Sequence, residues 1–182
     1  MSKGLIIIDV QNDYFEGGAM QLVGMQHAAA HCKLLLEHYR AHDLPIFHIQ
    51  HINESDEAAF FQAGTSGANI HSSMQPRDEE VHLVKHFPNA FRGTTLQEDL
   101  KNRGVDEVVI CGAMTHMCID ATTRAAFDLG YACQVVYDAC ATKDLTHANS
   151  RVKALDVHNA FMAALSGTYA KICTTADVVG GL

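Results

Sequence analysis

The sequence is poor in basic residues. Lysine and arginine together number 13 against 21 acidic residues, which gives a formal net charge of −8. Nucleic acids and anionic membranes are bound by a basic protein face. We therefore expect neither of them to be a partner of this chain.

Long hydrophobic runs are lacking as well. No stretch approaches the roughly 20 apolar residues that cross a membrane, and only the short apolar run 5–8 precedes Asp9 near the N-terminus. That run is too short for the hydrophobic core of a secretion signal. We expect a cytoplasmic protein.

The six cysteines include no C-x-x-C pair and do not follow the pattern of a small disulfide-rich domain. In a reducing compartment we expect free thiols, most of them small core residues. The chain has 182 residues, of which 48% are hydrophobic, so it is long enough to bury its own core. We predict a single domain over 1–182.

Short apolar runs alternate with longer helical patterns along the chain. The predicted strands are 5–8, 45–49, 81–84, 105–111, 132–137 and 170–173, and the predicted helices are 25–40, 94–103, 118–129 and 147–165. Such alternation is typical of a parallel sheet covered on both faces. The sequence predicts an α/β fold, a three-layer α/β/α sandwich with a mostly parallel sheet of about six strands. The long segment 53–80 has few periodic signals, and loops of this length are usually functional or form a partner contact.

Three residues with reactive or charged side chains follow predicted strands. Asp9 ends the first strand, Lys85 ends the third, and Cys118 follows the fourth after a short glycine-led segment. The carboxyl ends of parallel strands share one edge of a sheet, where ligands bind. At the start of a helix, Cys118 would also meet unpaired N–H groups that lower the pKa of a thiol. We interpret Cys118 as a nucleophile, Asp9 as its base and Lys85 as the counter-charge.

Each of these three residues has a simpler explanation when taken alone. A turn contact with Gln11 or Asn12 would account for Asp9. Lys85 would be a surface lysine at a strand end, and Cys118 a helix-packing cysteine. The hypothesis of a catalytic site depends on their conjunction at three strand ends.

Three stretches of the chain carry a resemblance to a known family. They are 8–15 (IDVQNDYF), 84–91 (VKHFPNAF) and 112–119 (GAMTHMCI). In this order and spacing they resemble the signature blocks of the isochorismatase-like cysteine hydrolases. That family includes nicotinamidases, N-carbamoylsarcosine amidase and ureidoacrylate amidase. The resemblance covers nearly the whole chain.

The resemblance implies a catalytic triad of Asp9, Lys85 and Cys118. It also implies a cis peptide bond between Ala113 and Met114, with the backbone N–H groups of Met114 and Cys118 as an oxyanion hole. The implied reaction is hydrolysis of the C–N bond of a small-molecule amide through a thioester on Cys118, without a cofactor.

The chain departs from nicotinamidases at their metal site. Those enzymes resemble one another in an Asp-x-His pair after the second strand, whereas here His51 falls near the aspartate position and Asn53 near the histidine position. We predict no metal, and the run GTSGA over 64–68 also looks like the metal-free amidase branch. Whether His48, His51 and His71 gather a zinc ion stays open.

Several further residues in and around the three stretches are candidates for contacts with substrate or for support of the site. They are Gln11, Tyr14, Phe15, His51, Phe91, Thr115, His116 and Ile119. Gln11 is expected to support Asp9. For Phe91 and Ile119, packing in the core is the alternative.

Two other functions stay open from the sequence. A family member could act on a non-amide substrate such as isochorismate, although isochorismatases tend to lack the nucleophilic cysteine. A non-catalytic α/β protein could use its thiols for binding or redox sensing. The family also implies a homodimer or homotetramer, for which segment 53–80 could serve as a contact surface.

Overall fold

The chain folds around a six-stranded sheet whose neighbouring strands are all parallel. The structure is a computed structural model that describes residues 2–55 and 57–181. The strands are β1 (Ser2–Ile8), β2 (Ile46–His51), β3 (Val81–Lys85), β4 (Val105–Ala113), β5 (Ala132–Ala141) and β8 (Lys171–Cys173), in the spatial order β3-β2-β1-β4-β5-β8. A separate antiparallel hairpin consists of β6 (Leu145–His147) and β7 (Ser150–Val152).

Helices cover both faces of the sheet, which confirms the predicted three-layer α/β/α sandwich. One face carries α1 (Met25–Ala41) and α5 (Thr175–Val179), and the other carries α2 (Leu96–Asn102), α3 (Asp120–Asp128) and α4 (Ala154–Leu165). In the part of the chain that the structure describes, no helix is both long and apolar enough to span a membrane.

The burial of both faces of β1 explains why its sequence is apolar throughout and does not alternate with polar residues. Leu5 and Ile7 pack into the core beneath α1, whereas Ile6 and Ile8 pack into the core on the opposite face. Successive side chains of a strand point to opposite faces, so a strand covered on both sides needs apolar residues throughout. Burying each such side chain stabilises the fold by about 1.5–3 kcal/mol.

The prediction of a helix over 147–165 is wrong in its first part, because residues 145–152 form the β6–β7 hairpin. Helix α4 begins at Ala154, whose N–H donates to Asp144 Oδ1 at 2.7 Å. The other carboxylate oxygen of Asp144 accepts from Arg151 Nε at 2.7 Å. Asp144 therefore caps α4 from across the hairpin, a contact that local periodicity does not reveal.

Three smaller differences concern helix ends. The predicted helix over 118–129 is divided into a π-helical turn, Thr115–Ile119, and α3. The predicted helix over 94–103 is shorter, Leu96–Asn102. Helix α5 was not predicted, although Thr174 and Asp177 form a capping box at its start that could have signalled it.

The strand order reverses between β1 and β4. The chain runs outward from β1 through β2 to the edge strand β3 and then returns to β4 beside β1. Ligands of open α/β sheets bind in the crevice at such a switch point. Gly112, near the end of β4, has φ of 120°, and a Cβ there would clash with the carbonyl oxygen of Ile8. Glycine is thus required where β1 and β4 approach each other before the turn that carries Cys118.

Segment 53–80 packs over the loop that follows β1. Asp13 Oδ2 accepts from the backbone N–H of Phe61 at 2.7 Å, and Asn12 N–H donates to Asn69 O at 3.0 Å. The backbone of Phe61 is left-handed, with φ of 54°. The segment is therefore fixed to the edge of the sheet where Asp9, Lys85 and Cys118 lie.

Candidate active site

The structure brings together the three side chains that the sequence predicts to be catalytic. Lys85 Nζ lies 2.8 Å from Asp9 Oδ2 and 3.3 Å from Cys118 Sγ. Asp9 and Lys85 are completely buried, and Cys118 is 3% exposed. The ends of β1 and β3 and the turn after β4 each supply one member, as expected for the carboxyl edge of a parallel sheet.

The local conformation of Asp9 leaves one carboxylate oxygen available. Asp9 has φ of 53°, and its N–H donates to Ile49 O at 2.9 Å. Aspartate tolerates this left-handed region better than most residues. While Oδ2 accepts from Lys85, Oδ1 is buried without a hydrogen-bond partner among the described residues. A buried carboxylate oxygen without a donor is costly, and it is free to accept a proton.

The electrostatics of Cys118 differ from the prediction. The sequence predicts a lowered thiol pKa, but burial and then the negative charge of Asp9 raise the pKa of Cys118, against the smaller opposing effect of Lys85. The reason is that Cys118 lies enclosed within the π-helical turn and not at an open helix end. Cys118 is therefore a neutral thiol at rest and needs a base to become a nucleophile.

Lys85 carries the positive charge of the site. Burial opposes the charged form of Lys85, but the negative charge of Asp9, with the hydrogen bonds to Asp9 and Cys118, outweighs it and raises the pKa of the lysine. A buried ammonium with an aspartate at hydrogen-bond distance stays protonated. The resting site thus contains an ammonium, a carboxylate and a thiol.

His51 contacts the lysine directly, which the sequence did not predict. Its Nδ1 lies 2.9 Å from Lys85 Nζ, and its Nε2 lies 3.1 Å from Asn53 Oδ1. Burial and then the charge of Lys85 lower the pKa of His51, so the ring is neutral near pH 7. The sequence predicts a polar pocket residue here, and the structure places it against the ammonium.

Gln11 holds the end of β2 and makes no side-chain bond to Asp9, contrary to expectation. Its Nε2 donates to His51 O at 2.8 Å and to Ala68 O at 2.6 Å, and its Oε1 accepts from His51 N at 2.8 Å. The link to Asp9 is a backbone bond from Gln11 N to Asp9 O at 3.0 Å. Gln11 therefore fixes the backbone of His51 and joins it to segment 53–80.

One group of potential metal ligands occurs within the described ranges 2–55 and 57–181. It comprises Asp9, His51 and Cys118, whose ligand atoms lie within 4.8 Å of one another. Lys85 Nζ is within hydrogen-bond distance of all three residues. The ammonium thus occupies the position that a metal ion would need, and a second cation there would be repelled.

The structure does not gather the three histidines considered as a zinc site. His48 Nε2 lies 2.8 Å from Glu80 Oε2, on the face of β2 opposite His51. His71 stacks on Phe15, with ring centroids 3.8 Å apart.

Aromatic side chains form one wall of the site. Tyr14 is buried beside Phe61, with ring centroids 4.5 Å apart, and Phe60 lies 6.0 Å from Tyr14. Burial, followed by the charges of Asp9 and Cys118, raises the pKa of Tyr14, which reflects its proximity to the triad. The sequence predicts Tyr14 as a pocket wall. Phe60 and Phe61 were missed because segment 53–80 has no motif or periodicity to mark them.

The remaining candidates divide between anchoring and core packing. Thr115 Oγ1 lies 3.3 Å from Ala141 O, and His116 Nδ1 lies 2.6 Å from Thr142 Oγ1, so both residues anchor the turn to the end of β5. The peptide bond between Ala113 and Met114 in this turn is cis. Ile119 is buried in the hydrophobic core, and Phe91 is half-buried and packs against it. For these two residues the core alternative holds.

Comparison with known protein families matches the isochorismatase domain to residues 3–177 of this chain. The uncharacterized isochorismatase family protein YddQ of Bacillus subtilis (strain 168) is 50% identical over 175 residues, which cover 96% of this chain and 97% of that protein. The crystal structure of a putative isochorismatase hydrolase from Oleispira antarctica has a TM-score of 0.96 and 45% identity, and covers 99% of this chain and 97% of that one.

Several relatives have an activity in their names, and two of them are hydrolases of named substrates. The nicotinamidase/pyrazinamidase of Mycobacterium tuberculosis (strain ATCC 25618 / H37Rv) is 31% identical, covering 76% of this chain and 86% of that protein. A streptothricin hydrolase of Streptomyces noursei is 28% identical, covering 93% of this chain and 58% of that protein. The match of the isochorismatase domain over nearly the whole chain, with the 50% identical relative, shows that this protein belongs to the isochorismatase family of hydrolases.

Proposed function

We propose that this protein hydrolyses the C–N bond of a small amide, with Cys118 as nucleophile and Asp9 as general base. The observation that carries the proposal is the buried Lys85 ammonium in contact with both the Asp9 carboxylate and the Cys118 thiol. A cysteine, a base and a counter-charge are the parts that acyl transfer to sulfur requires. The relatives named nicotinamidase/pyrazinamidase and streptothricin hydrolase support a hydrolysis of this kind.

The first step is the activation of the thiol. Because the pKa of Cys118 is raised, a free thiolate is scarce, and the proton leaves Sγ as the sulfur attacks the amide carbon. Oδ1 of Asp9 accepts this proton, since Oδ2 is bound to Lys85. Lys85 stabilises the negative charge that develops on sulfur.

The tetrahedral intermediate places a negative charge on the former carbonyl oxygen. We assign its stabilisation to the backbone N–H groups of Met114 and Cys118, as the family resemblance implies. Asp9 then passes the thiol proton to the departing amine, and the C–N bond breaks to leave a thioester on Cys118. Water attacks the thioester with Asp9 again as base, which releases the carboxylic acid and restores the thiol.

The proposed chemistry needs no metal, because the Lys85 ammonium supplies the positive charge at the site. The departure from the nicotinamidase metal pair at His51 and Asn53 therefore favours amides other than nicotinamide. A cytoplasmic location, expected from the lack of long hydrophobic runs in the sequence, and a homodimer or homotetramer, implied by the family resemblance, are further proposals. Analytical ultracentrifugation of the purified chain would test the second of them.

The proposal is tested by a panel of small amides, scored for release of ammonia or amine, alongside an isochorismate assay. We expect turnover of at least one amide and a covalent acyl adduct on Cys118 by mass spectrometry after rapid quenching. Turnover of isochorismate without an adduct would contradict the proposal. Selective oxidation of thiols with no hydrolysis of any substrate would favour a redox-sensing protein instead.

A further inference from the structure

The Lys85 ammonium has one more acceptor than a triad of Asp9, Lys85 and Cys118 requires. Lys85 is completely buried, so each of its three N–H groups needs an acceptor from the protein. The acceptors are Asp9 Oδ2 at 2.8 Å, His51 Nδ1 at 2.9 Å and Cys118 Sγ at 3.3 Å. His51 thus completes the coordination of the ammonium.

The contact defines the state of the His51 ring. An ammonium can only donate, so Nδ1 of His51 must present a lone pair to Lys85. The ring proton then belongs on Nε2, which lies 3.1 Å from Asn53 Oδ1. Asn53 is itself oriented by a bond from its Nδ2 to Phe60 O at 2.8 Å. This chain of bonds selects one neutral tautomer of His51.

Fixing the third N–H of Lys85 has a consequence for Asp9. An ammonium held at three points cannot turn about its terminal bond, so it keeps one N–H on Sγ and another on Oδ2. Without His51, the third N–H of the buried ammonium would be unpaired and could bond to Oδ1, which has no partner among the residues that the structure describes. That bond would occupy the oxygen that is needed for the thiol proton.

We infer that His51 is a positioning residue that holds the Lys85 ammonium on Cys118 and keeps Oδ1 of Asp9 open. The effect on turnover rests on the proposed function, whereas the effect on the reactivity of the thiol does not. His51 acts in its neutral form, because an imidazolium would place a second cation against Lys85 Nζ. The titratable groups that face it are Asp9 after β1, Lys85 and His86 at the end of β3, and Cys118 in the turn.

The experiment measures alkylation of Cys118 by iodoacetamide in the absence of substrate, resolved by peptide mass spectrometry. His51→Leu removes the acceptor, and we expect a rate lowered by about tenfold. His51→Asn places an amide oxygen near the position of Nδ1, and we expect recovery to within about threefold of the wild type. The matched control is His82→Leu, a change of an exposed histidine on β3, which should leave the rate unchanged.

Two outcomes would overturn the inference. The first is an unchanged alkylation rate in His51→Leu together with a raised KM for an amide substrate, which would make His51 a substrate contact. The second applies even if His51→Leu fails to fold: ¹⁵N NMR of the wild-type protein near pH 7 would show the His51 proton on Nδ1 and not on Nε2. A failure to find any amide substrate would contradict the proposed function and leave the order of alkylation rates as expected here.

Discussion

Strand β2 carries two buried histidines on opposite faces, and each belongs to a different charged network. His48 Nε2 lies 2.8 Å from Glu80 Oε2, so its ring donates to an anion. His51 Nδ1 lies 2.9 Å from Lys85 Nζ, so its ring accepts from a cation. Both rings have a lowered pKa, in each case with burial as the largest cause. Burial and pKa shift alone do not distinguish the two networks.

The difference lies in how completely the carboxylates are satisfied. Glu80 accepts from Arg40 Nε at 2.6 Å, Arg40 Nη2 at 2.8 Å and Arg77 N at 2.9 Å in addition to His48, so both of its oxygens are occupied. Asp9 has one oxygen bound to Lys85, and its other oxygen accepts no bond from the described part of the chain. A saturated network stabilises a fold, whereas an open buried acceptor indicates chemistry.

The largest expected effect is that of Cys118→Ala. Loss of the nucleophile should lower amide turnover by about a thousandfold or more. The matched control is Cys111→Ala. Cys111 lies in β4 and is as fully buried as Cys118, but no acidic or basic side chain contributes to its raised pKa. The control should keep its activity while losing about 1–2 kcal/mol of stability. Steady-state kinetics measures the turnover, and urea unfolding measures the stability. Normal turnover in Cys118→Ala would refute the proposed mechanism.

Asp9→Asn should have the next largest effect, because it removes the base and leaves the Lys85 ammonium without its counter-charge. General-base catalysis contributes about 10²–10⁴-fold, so turnover should fall within that range. The corresponding change in the saturated network, Glu80→Gln, should leave turnover within about threefold of the wild type. Equal losses of activity in the two variants would remove the distinction between the networks.

Glu80→Gln should lower the stability of the fold, although it leaves turnover nearly unchanged. The amide cannot accept all the bonds that the carboxylate receives from Arg40, Arg77 and His48, which join α1, β2 and the residues before β3. We expect a loss of about 2 kcal/mol in the free energy of unfolding, the scale of a hydrogen bond to a charged group. Urea denaturation at pH 7 would measure this loss, and an unchanged midpoint would show that the network is not stabilising.

The same carboxylate predicts a pH dependence of stability. Burial opposes the charge on Glu80, but its bonds to Arg40, Arg77 and His48 outweigh burial and lower the pKa of Glu80 to about 2. Stability from a lowered carboxyl pKa is present above the unfolded value of 4.5 and is lost as the pH falls towards 2. The wild type should therefore lose more stability than Glu80→Gln between these pH values. Parallel unfolding curves of the two proteins over this range would contradict the assignment.

The sequence predicts the sheet and the triad because both depend on local signals. Uninterrupted apolar runs mark the strands, and Asp9, Lys85 and Cys118 each lie just beyond such a run or a glycine-led turn. The start of α4 was misplaced, and the β6–β7 hairpin with it, because the residue that caps α4, Asp144, lies on the far side of the hairpin. The role of His51 was missed because its partner Lys85 comes from a different strand, and neither stretch of sequence shows by itself that the two residues lie opposite each other.

The smallest expected effect comes from Asn53→Asp, which alters the tautomer support of His51 without removing it. A carboxylate at this position still accepts from Nε2, but its charge favours the imidazolium and raises the pKa of His51. At pH 8 the His51 ring is neutral in both proteins, so the alkylation rates of Cys118 in the variant and the wild type should agree. Near pH 6 a larger fraction of His51 is charged in the variant, and we expect its rate to be about two- to threefold lower. Alkylation rates with the same pH profile in both proteins would show that the neutral ring is not required, and the two histidines of β2 would then both be structural.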